Sequence, residues 1–308
     1  MKTVFMFSGQ GSQYLGMAKE LYDNYEVVRN VFQKAEEITN YPIKKIFFES
    51  LELLNDTNYT QVAMFVMYQA IIEVLKLHNI TAESSMGLSL GEYGAYLHNE
   101  VFSFELGLDI VKKRSILMAE AQEKNPGKMC AIIGLENNAV EEIIKQFNSV
   151  VIANYNLPTQ LVISGDQESI FKIKDLAVEK GAKRAIVLET SGAFHSPFMK
   201  SAEEGFYDYL SSLKINEPKR NLYVNLTGKK YEANIKEVMS KQISHSVKFY
   251  QMVEEMIADG MNLFIEIGPK QTLSSLVRKI DSNVVVCNVE DLKSLQKTIL
   301  IWGDINGK

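Results

Sequence analysis

Residues 4–7 form an unbroken apolar run that ends in Ser8-Gly9-Gln10-Gly11-Ser12-Gln13. Such a run, closed by glycine and polar residues, predicts a buried strand, then a loop, then a helix near 17–22. Over residues 60–78 apolar side chains cover much of the helical circumference. That pattern predicts a largely buried helix, stopped at Asn79. Strand, glycine-rich turn and helix recur over 84–96. Leu108, Val111, Leu117 and Met118 share a helical face, which places Arg114 in another helix.

The middle of the chain has a different rhythm. Strands are predicted at 129–135, 150–154, 160–164 and 184–188, with helices at 140–147 and 168–180. The order β-α-β-β-α-β, over about 65 residues, is that of a ferredoxin-like unit. The first rhythm resumes with a strand at 262–267, closed by Gly268-Pro269, and a helix around 273–280. The pattern predicts an α/β fold with a mainly parallel sheet, residues 1–126 and 191–308, interrupted by a small subdomain at 127–190.

Composition narrows the function classes. The chain has 308 residues, 46% hydrophobic and 23% charged, enough to bury a large core. A net charge of −5 argues against a general nucleic-acid binder, while leaving room for a local basic patch facing an acidic protein partner. Cys130 and Cys287 lie far apart, outside metal-ligand spacing, and read as buried free thiols. The four histidines show no paired metal-binding pattern. The N-terminal apolar run is too short for a secretory signal and no later stretch is expected to reach a membrane span, so a cytoplasmic protein is expected.

Gly87-Leu88-Ser89-Leu90-Gly91 matches G-x-S-x-G between a strand and a helix, the pattern of a nucleophile elbow. Glycine on both sides lets neighbouring backbones approach the turn. The bland alternative is a helix-capping serine. A serine nucleophile needs a base. His78 ends a helix and reads as structural, His98 and His245 fall in polar, loop-like stretches, and His195 sits in a loop before Pro197 at the end of the inserted unit. His195 is the preferred base. The Gly9–Gly11 loop lacks the spacing of a dinucleotide fingerprint and the Lys-Ser/Thr of a P-loop. Gln10, flanked by glycines at a strand end, can instead aim a backbone N–H at a developing oxyanion. A plain turn is the other reading.

Five stretches occur in order along nearly the whole chain: FSGQGSQYLGMAKELY, GLSLGEYGAY, VKKRSILMAEA, GAKRAIVLETSGAFHSPFM and FIEIGPKQTLSSL. Together they resemble the motifs of the bacterial malonyl-CoA:acyl-carrier-protein transacylases, acyltransferases that charge the carrier protein for fatty-acid synthesis. The resemblance implies an α/β-hydrolase-like large subdomain with an inserted ferredoxin-like one. It carries the acyl-accepting serine onto Ser89 and the catalytic histidine onto His195. The oxyanion hole falls on the N–H groups of Gln10 and Leu90, and the malonate-binding arginine on Arg114. Two parallel hydrogen bonds suit a guanidinium to a carboxylate. Gln242 matches the residue whose carbonyl orients the histidine, and Asn156 matches a polar residue lining the cleft. Phe194 agrees with malonyl-selective members; methylmalonyl users tend to carry serine there. The family usually has histidine at Leu88, proline at Ser246 and glycine at Lys270.

The implied reaction is ping-pong malonyl transfer from malonyl-CoA to the phosphopantetheine thiol of acyl carrier protein, through a malonyl-serine. No metal or bound cofactor is implied, because the CoA thioester is a substrate. The acidic carrier calls for a basic docking patch. Alternatives are a free-standing malonyl acyltransferase of a polyketide synthase, a serine hydrolase or thioesterase, and a catalytically dead carrier-binding module.

Overall fold

The structure is a computed structural model, and it describes every residue except Ser191 and Lys308. Ser191, where the second large segment was expected to begin, therefore lies outside the described residues. The strands, in chain order, are β1 (Thr3–Phe7), β2 (Ser84–Gly87), β3 (Lys128–Ile133), β4 (Val150–Leu157) and β5 (Gln160–Gly165). They continue with β6 (Arg184–Val187), β7 (Asn221–Val224), the two-residue β8 (Lys229–Lys230), β9 (Leu263–Ile267) and β10 (Val285–Val289). The chain forms two compact units: Met1–Ser115, Ile215–Val224 and Glu254–Lys308 make the first; Ile116–Lys214 and Asn225–Val253 make the second. The second unit thus takes in 127–190 and further segments on both sides of it.

The sheet of the first unit runs β10-β9-β1-β2-β7, every pair parallel. Phe7 at the end of β1 faces Gly87 on one side and Ile267 on the other. All five residues of β1 and of β9 are buried, so neither alternates: β1 reads as an apolar run from Val4, and β9 is interrupted only by Glu266, whose carboxylate accepts from Leu273 N–H at 3.0 Å and Ser274 N–H at 2.7 Å. β2 is as buried but half polar, and its polarity is satisfied inside the unit. Ser85 accepts from Asn99 Nδ2 at 2.6 Å, and Ser84 Oγ reaches Met261 Sδ at 3.4 Å.

Helix Thr57–Leu77, capped by Asp56, buries most of its circumference in this unit, leaving a stripe through Gln69, Glu73 and Lys76 less covered. Contrary to the sequence expectation, it is long and apolar enough to cross a membrane: 21 residues, with a mean hydropathy of 1.3 over its most apolar stretch. That stretch is 78% buried inside the protein, so its apolar surface serves the core.

In the second unit β4-β5-β3-β6 form an antiparallel sheet. Helix Asn137–Ile144 joins β3 to β4 and helix Gln167–Glu179 joins β5 to β6, in the order β-α-β-β-α-β. Cys130 and Ile132 of β3 alternate inward against Ile152, Ile163, Val140 and Ile170, the period-two signature of a sheet covered on one face. Both cysteines are free and buried. Helix Phe104–Lys124 contributes residues to both units.

Candidate functional site

The turn after β2 is dictated by two glycines. A Cβ on Gly87 would lie 2.0 Å from the Gly91 carbonyl carbon, and one on Gly91 would lie 2.0 Å from the Phe7 carbonyl oxygen. No side chain fits at either position. Between them Ser89 adopts a left-handed conformation, φ 53°, and opens a short 3-10 turn, Ser89–Gly91, that runs into helix Glu92–His98. Holding a non-glycine residue there costs about 1–2 kcal/mol, a strain that functional turns typically carry. The capping alternative is answered by position. Leu88 caps the 3-10 turn and Gly91 the helix, neither through a side-chain bond, and Ser89 fills neither place.

The Gln10 loop lies against this turn. A Cβ on Gly9 would meet the Leu88 carbonyl oxygen at 2.9 Å, and Leu88 N–H donates to Phe7 O at 3.1 Å. Ser12 Oγ donates to Gly9 O at 2.7 Å, and Gly11 N–H donates to Gln13 Oε1 at 2.7 Å, so the loop is fixed by its own polar residues. Gln10 and Leu90 thereby flank one backbone junction at the C-terminal ends of β1 and β2.

Arg114, on helix Phe104–Lys124, is only 1% exposed. Its Nη1 donates to Gln61 Oε1 at 2.6 Å, and its guanidinium carbon lies 5.1 Å from the centre of the Tyr93 ring. Burial pushes the Tyr93 hydroxyl well above its ordinary range, so it stays neutral. Neither Gln61 nor Tyr93 was singled out from sequence. A glutamine within the most apolar helix of the chain was the available signal, since a buried amide there demands a partner.

The second unit holds the other predicted residues. His195 is buried, with φ 56°, and is fixed at two points. Its N–H donates to Ile243 O at 3.2 Å, and its Nδ1 lies 2.9 Å from Gln242 O. A carbonyl only accepts, so Nδ1 carries the hydrogen and the neutral ring keeps its lone pair on Nε2. Phe194, the residue before it, and Gln242 are both buried. Asn156 lies on β4, whose Tyr155 N–H donates to Val247 O at 2.9 Å, five residues beyond Gln242. The Asn156 side chain is buried, and its Oδ1 has no hydrogen-bond partner among the described residues.

The competing histidines sort by environment. His78 caps the long helix and contacts the Tyr25 hydroxyl at 3.2 Å. His98, expected in a loop, ends helix Glu92–His98 instead; burial lowers its pKa to about 4, which keeps it neutral near pH 7. His245 is half-exposed. Of the departures, Ser246 donates through Oγ to Ile152 O at 2.6 Å. Lys270 takes a left-handed φ of 66°, a conformation natural to glycine, with its N–H held by Glu290 at 2.8 Å.

Residues 4–296 match the acyl transferase domain family. A malonyl CoA-acyl carrier protein transacylase of Bacillus subtilis is 35% identical over 97% of this chain and 96% of its own. A solved malonyl CoA-acyl carrier protein transacylase from Clostridium perfringens is 39% identical, with a TM-score of 0.95 over 99% of this chain and 98% of that one. A malonyl-transacylase solved in complex with its type II PKS acyl-carrier protein is 29% identical, with a TM-score of 0.94 over 97% and 99% of the two chains. With an elbow serine whose glycines admit no side chain and a family match over nearly its full length, the chain belongs to the acyl transferase family.

Proposed function

We propose that this chain transfers a malonyl group from malonyl-CoA to the phosphopantetheine thiol of acyl carrier protein, for fatty-acid biosynthesis, through an ester on Ser89. The observation that carries the proposal is the left-handed Ser89 between two glycines that sterics make obligatory, in a chain whose relatives are named for this transfer. Ser89 Oγ attacks the thioester carbonyl while His195 Nε2 takes its proton. Backbone N–H groups of Gln10 and Leu90 stabilise the oxyanion. Collapse expels the CoA sulfur, which leaves with the proton from His195. The carrier thiol then repeats the sequence in reverse, giving its proton to His195 and restoring Ser89.

Arg114 binds the malonyl carboxylate, and its burial against Gln61 and the Tyr93 ring supports that role, since a guanidinium held away from water pairs strongly with an incoming anion. Gln242 sets the His195 tautomer, Phe194 limits the space beside the malonyl methylene, and Asn156 offers a polar atom to the substrate. The thioester arrives on the substrate, so the reading needs no metal and no bound cofactor, and we take the reaction to be cytoplasmic. We further read the large subdomain, 1–126 and 191–308, as α/β-hydrolase-like and 127–190 as a ferredoxin-like insertion. The parallel order of the first sheet and the βαββαβ order of the second support this.

Intact-mass measurement after mixing with malonyl-CoA alone is expected to show one added malonyl unit, absent in Ser89→Ala. Labelling that survives in the alanine variant overturns the assignment. The PKS carrier in the complex of one relative favours a second reading, malonyl supply to a polyketide synthase. Timing transfer from the malonylated enzyme to each kind of carrier protein separates the two. Rapid release of malonate to water without carrier would indicate a hydrolase.

A further inference from the structure

We propose that Glu203 is a positioning residue for His195, acting through Ser244; the inference rests on the reading of His195 as the base. Two hydrogen bonds that hold His195 come from one turn, at Gln242 and Ile243, just after helix Ile235–Lys241. The turn is closed by Ile243 N–H to Ser240 O and Ser244 N–H to Lys241 O, each 3.2 Å. On its far side it is anchored to β4, through Ser246 Oγ to Ile152 O at 2.6 Å and Val247 N–H to Ala153 O at 2.8 Å. On its near side the anchor is a side chain: Ser244 Oγ donates to the Glu203 carboxylate.

Glu203 lies on helix Lys200–Ser211, which begins five residues after His195. Its carboxylate therefore staples the turn that orients His195 to the helix that follows His195. The carboxylate is 7% exposed, and its other oxygen pairs with Lys200 at 2.7 Å, a lysine that is half-exposed. Burying a carboxylate costs several kcal/mol, and a surface ion pair returns little of that. The same helix could have carried an apolar residue at this position. One carboxylate oxygen instead faces Lys200, while the other takes the directed bond from Ser244, two residues from the carbonyl that sets the histidine tautomer, and lies 3.8 Å from His245 Nδ1. His245 Nδ1, 2.9 Å from Ser244 Oγ and 2.8 Å from Lys241 O, holds the hydroxyl from its other side. Loss of the staple lets the Gln242 carbonyl drift, and a base displaced by about 1 Å loses roughly a hundredfold in rate.

The test is rapid-quench acylation of Ser89 by malonyl-CoA, with proton NMR of the His195 Nδ1–H, whose resonance is identified by its loss in His195→Ala. Glu203→Leu and Ser244→Ala are expected to slow acylation by about 10- to 100-fold with KM for malonyl-CoA unchanged, and to shift the Nδ1–H resonance upfield. The double variant should be no slower than the worse single one, because both break one link. Glu203→Gln keeps an acceptor for Ser244 and should stay within about threefold of the parent. If Glu203→Leu does not fold, Ser244→Ala carries the test. Parent-like acylation and an unmoved Nδ1–H in folded Ser244→Ala overturn the proposal, and so does a glutamine variant as slow as the leucine one. If His195→Ala acylates at the parent rate, the base assignment fails, and the Nδ1–H shift alone decides whether Glu203 positions the ring.

Discussion

Gly91→Ala sets two effects of known size against each other. Gly91 sits at φ −59°, ψ −23°, at the start of helix Glu92–His98, where alanine gains up to about 1 kcal/mol over glycine. Its new Cβ, however, would lie 2.0 Å from Phe7 O, 2.7 Å from Phe7 C and 2.8 Å from Ser8 O, all backbone atoms. An ordinary carbon–oxygen approach is about 3.3 Å or more, so the two segments must part by roughly 1 Å. β1 has little room to recede, since Phe7 is paired on both sides and Ser8 N–H donates to Ile267 O at 3.2 Å. Overpacking of this kind costs about 3 kcal/mol, the upper end of its usual range, and outweighs the gain in helix propensity. The net loss, about 2 kcal/mol, should lower Tm by several degrees. Catalysis should suffer more than stability. The displaced backbone leads directly into Gly9-Gln10, and moving an oxyanion donor by about 1 Å should slow acylation of Ser89 roughly a hundredfold. Gly205→Ala is the control: it lies in helix Lys200–Ser211, and its Cβ would meet only the flexible Leu117 side chain, at 3.2 Å. That variant should match or exceed the parent in Tm. The assays are quenched-flow acylation by malonyl-CoA and thermal unfolding. A Gly91→Ala protein that acylates within about threefold of the parent, at equal or higher Tm, would refute the steric account.

Arg114→Ala should lose about a hundredfold or more in malonyl transfer, the worth of one charged hydrogen-bonded pair of about 3 kcal/mol, while keeping transfer from acetyl-CoA. Equal loss on both thioesters would make Arg114 structural. Leu88→His should change transfer by less than about tenfold, because the proposed oxyanion donors beside it are backbone groups; a far larger gain would mean that leucine disables the site. His98 predicts a pH dependence of stability. Its pKa is lowered from 6.5 to about 4 by burial, so below pH 6.5 the unfolded chain takes up a proton that the folded one refuses. The contribution is fully present above pH 6.5 and falls by about 2 kcal/mol by pH 5. His98→Leu should flatten the Tm difference between pH 7 and pH 5; an unchanged difference would place the titrating group elsewhere.

Much of the fold was legible because its rules are local. β1 announced itself as an apolar run closed by turn residues, since a strand buried on both faces has no polar side to alternate. The second sheet was legible from period-two and period-3.6 segments in the order β-α-β-β-α-β, although β4 continues to Leu157 and so carries Asn156 within a strand. The elbow was readable for a similar reason. Glycine spacing around Ser89 reports a steric demand, and the structure supplies its origin in the approach of Phe7 O and of the Gly91 backbone.

Other features depended on partners distant in the chain. Ser84 and Ser85 can be buried in β2 because Met261 and Asn99, distant in the chain, meet their hydroxyls. The apolar length of helix Thr57–Leu77 suits a membrane as well as a core, and only packing over most of its surface chose the core. Arg114 reads as a solvated helix residue until Gln61, 53 positions away, and the ring of Tyr93 are brought to it. Glu203 reads as surface charge until Ser244, 41 positions on, closes over it. Sequence thus determined which segments become strands, turns and helices, because backbone sterics and apolar periodicity act over a few residues. Tertiary structure alone decided which polar groups lose water and what replaces it, because desolvation depends on every neighbour a side chain meets, whatever its place in the chain.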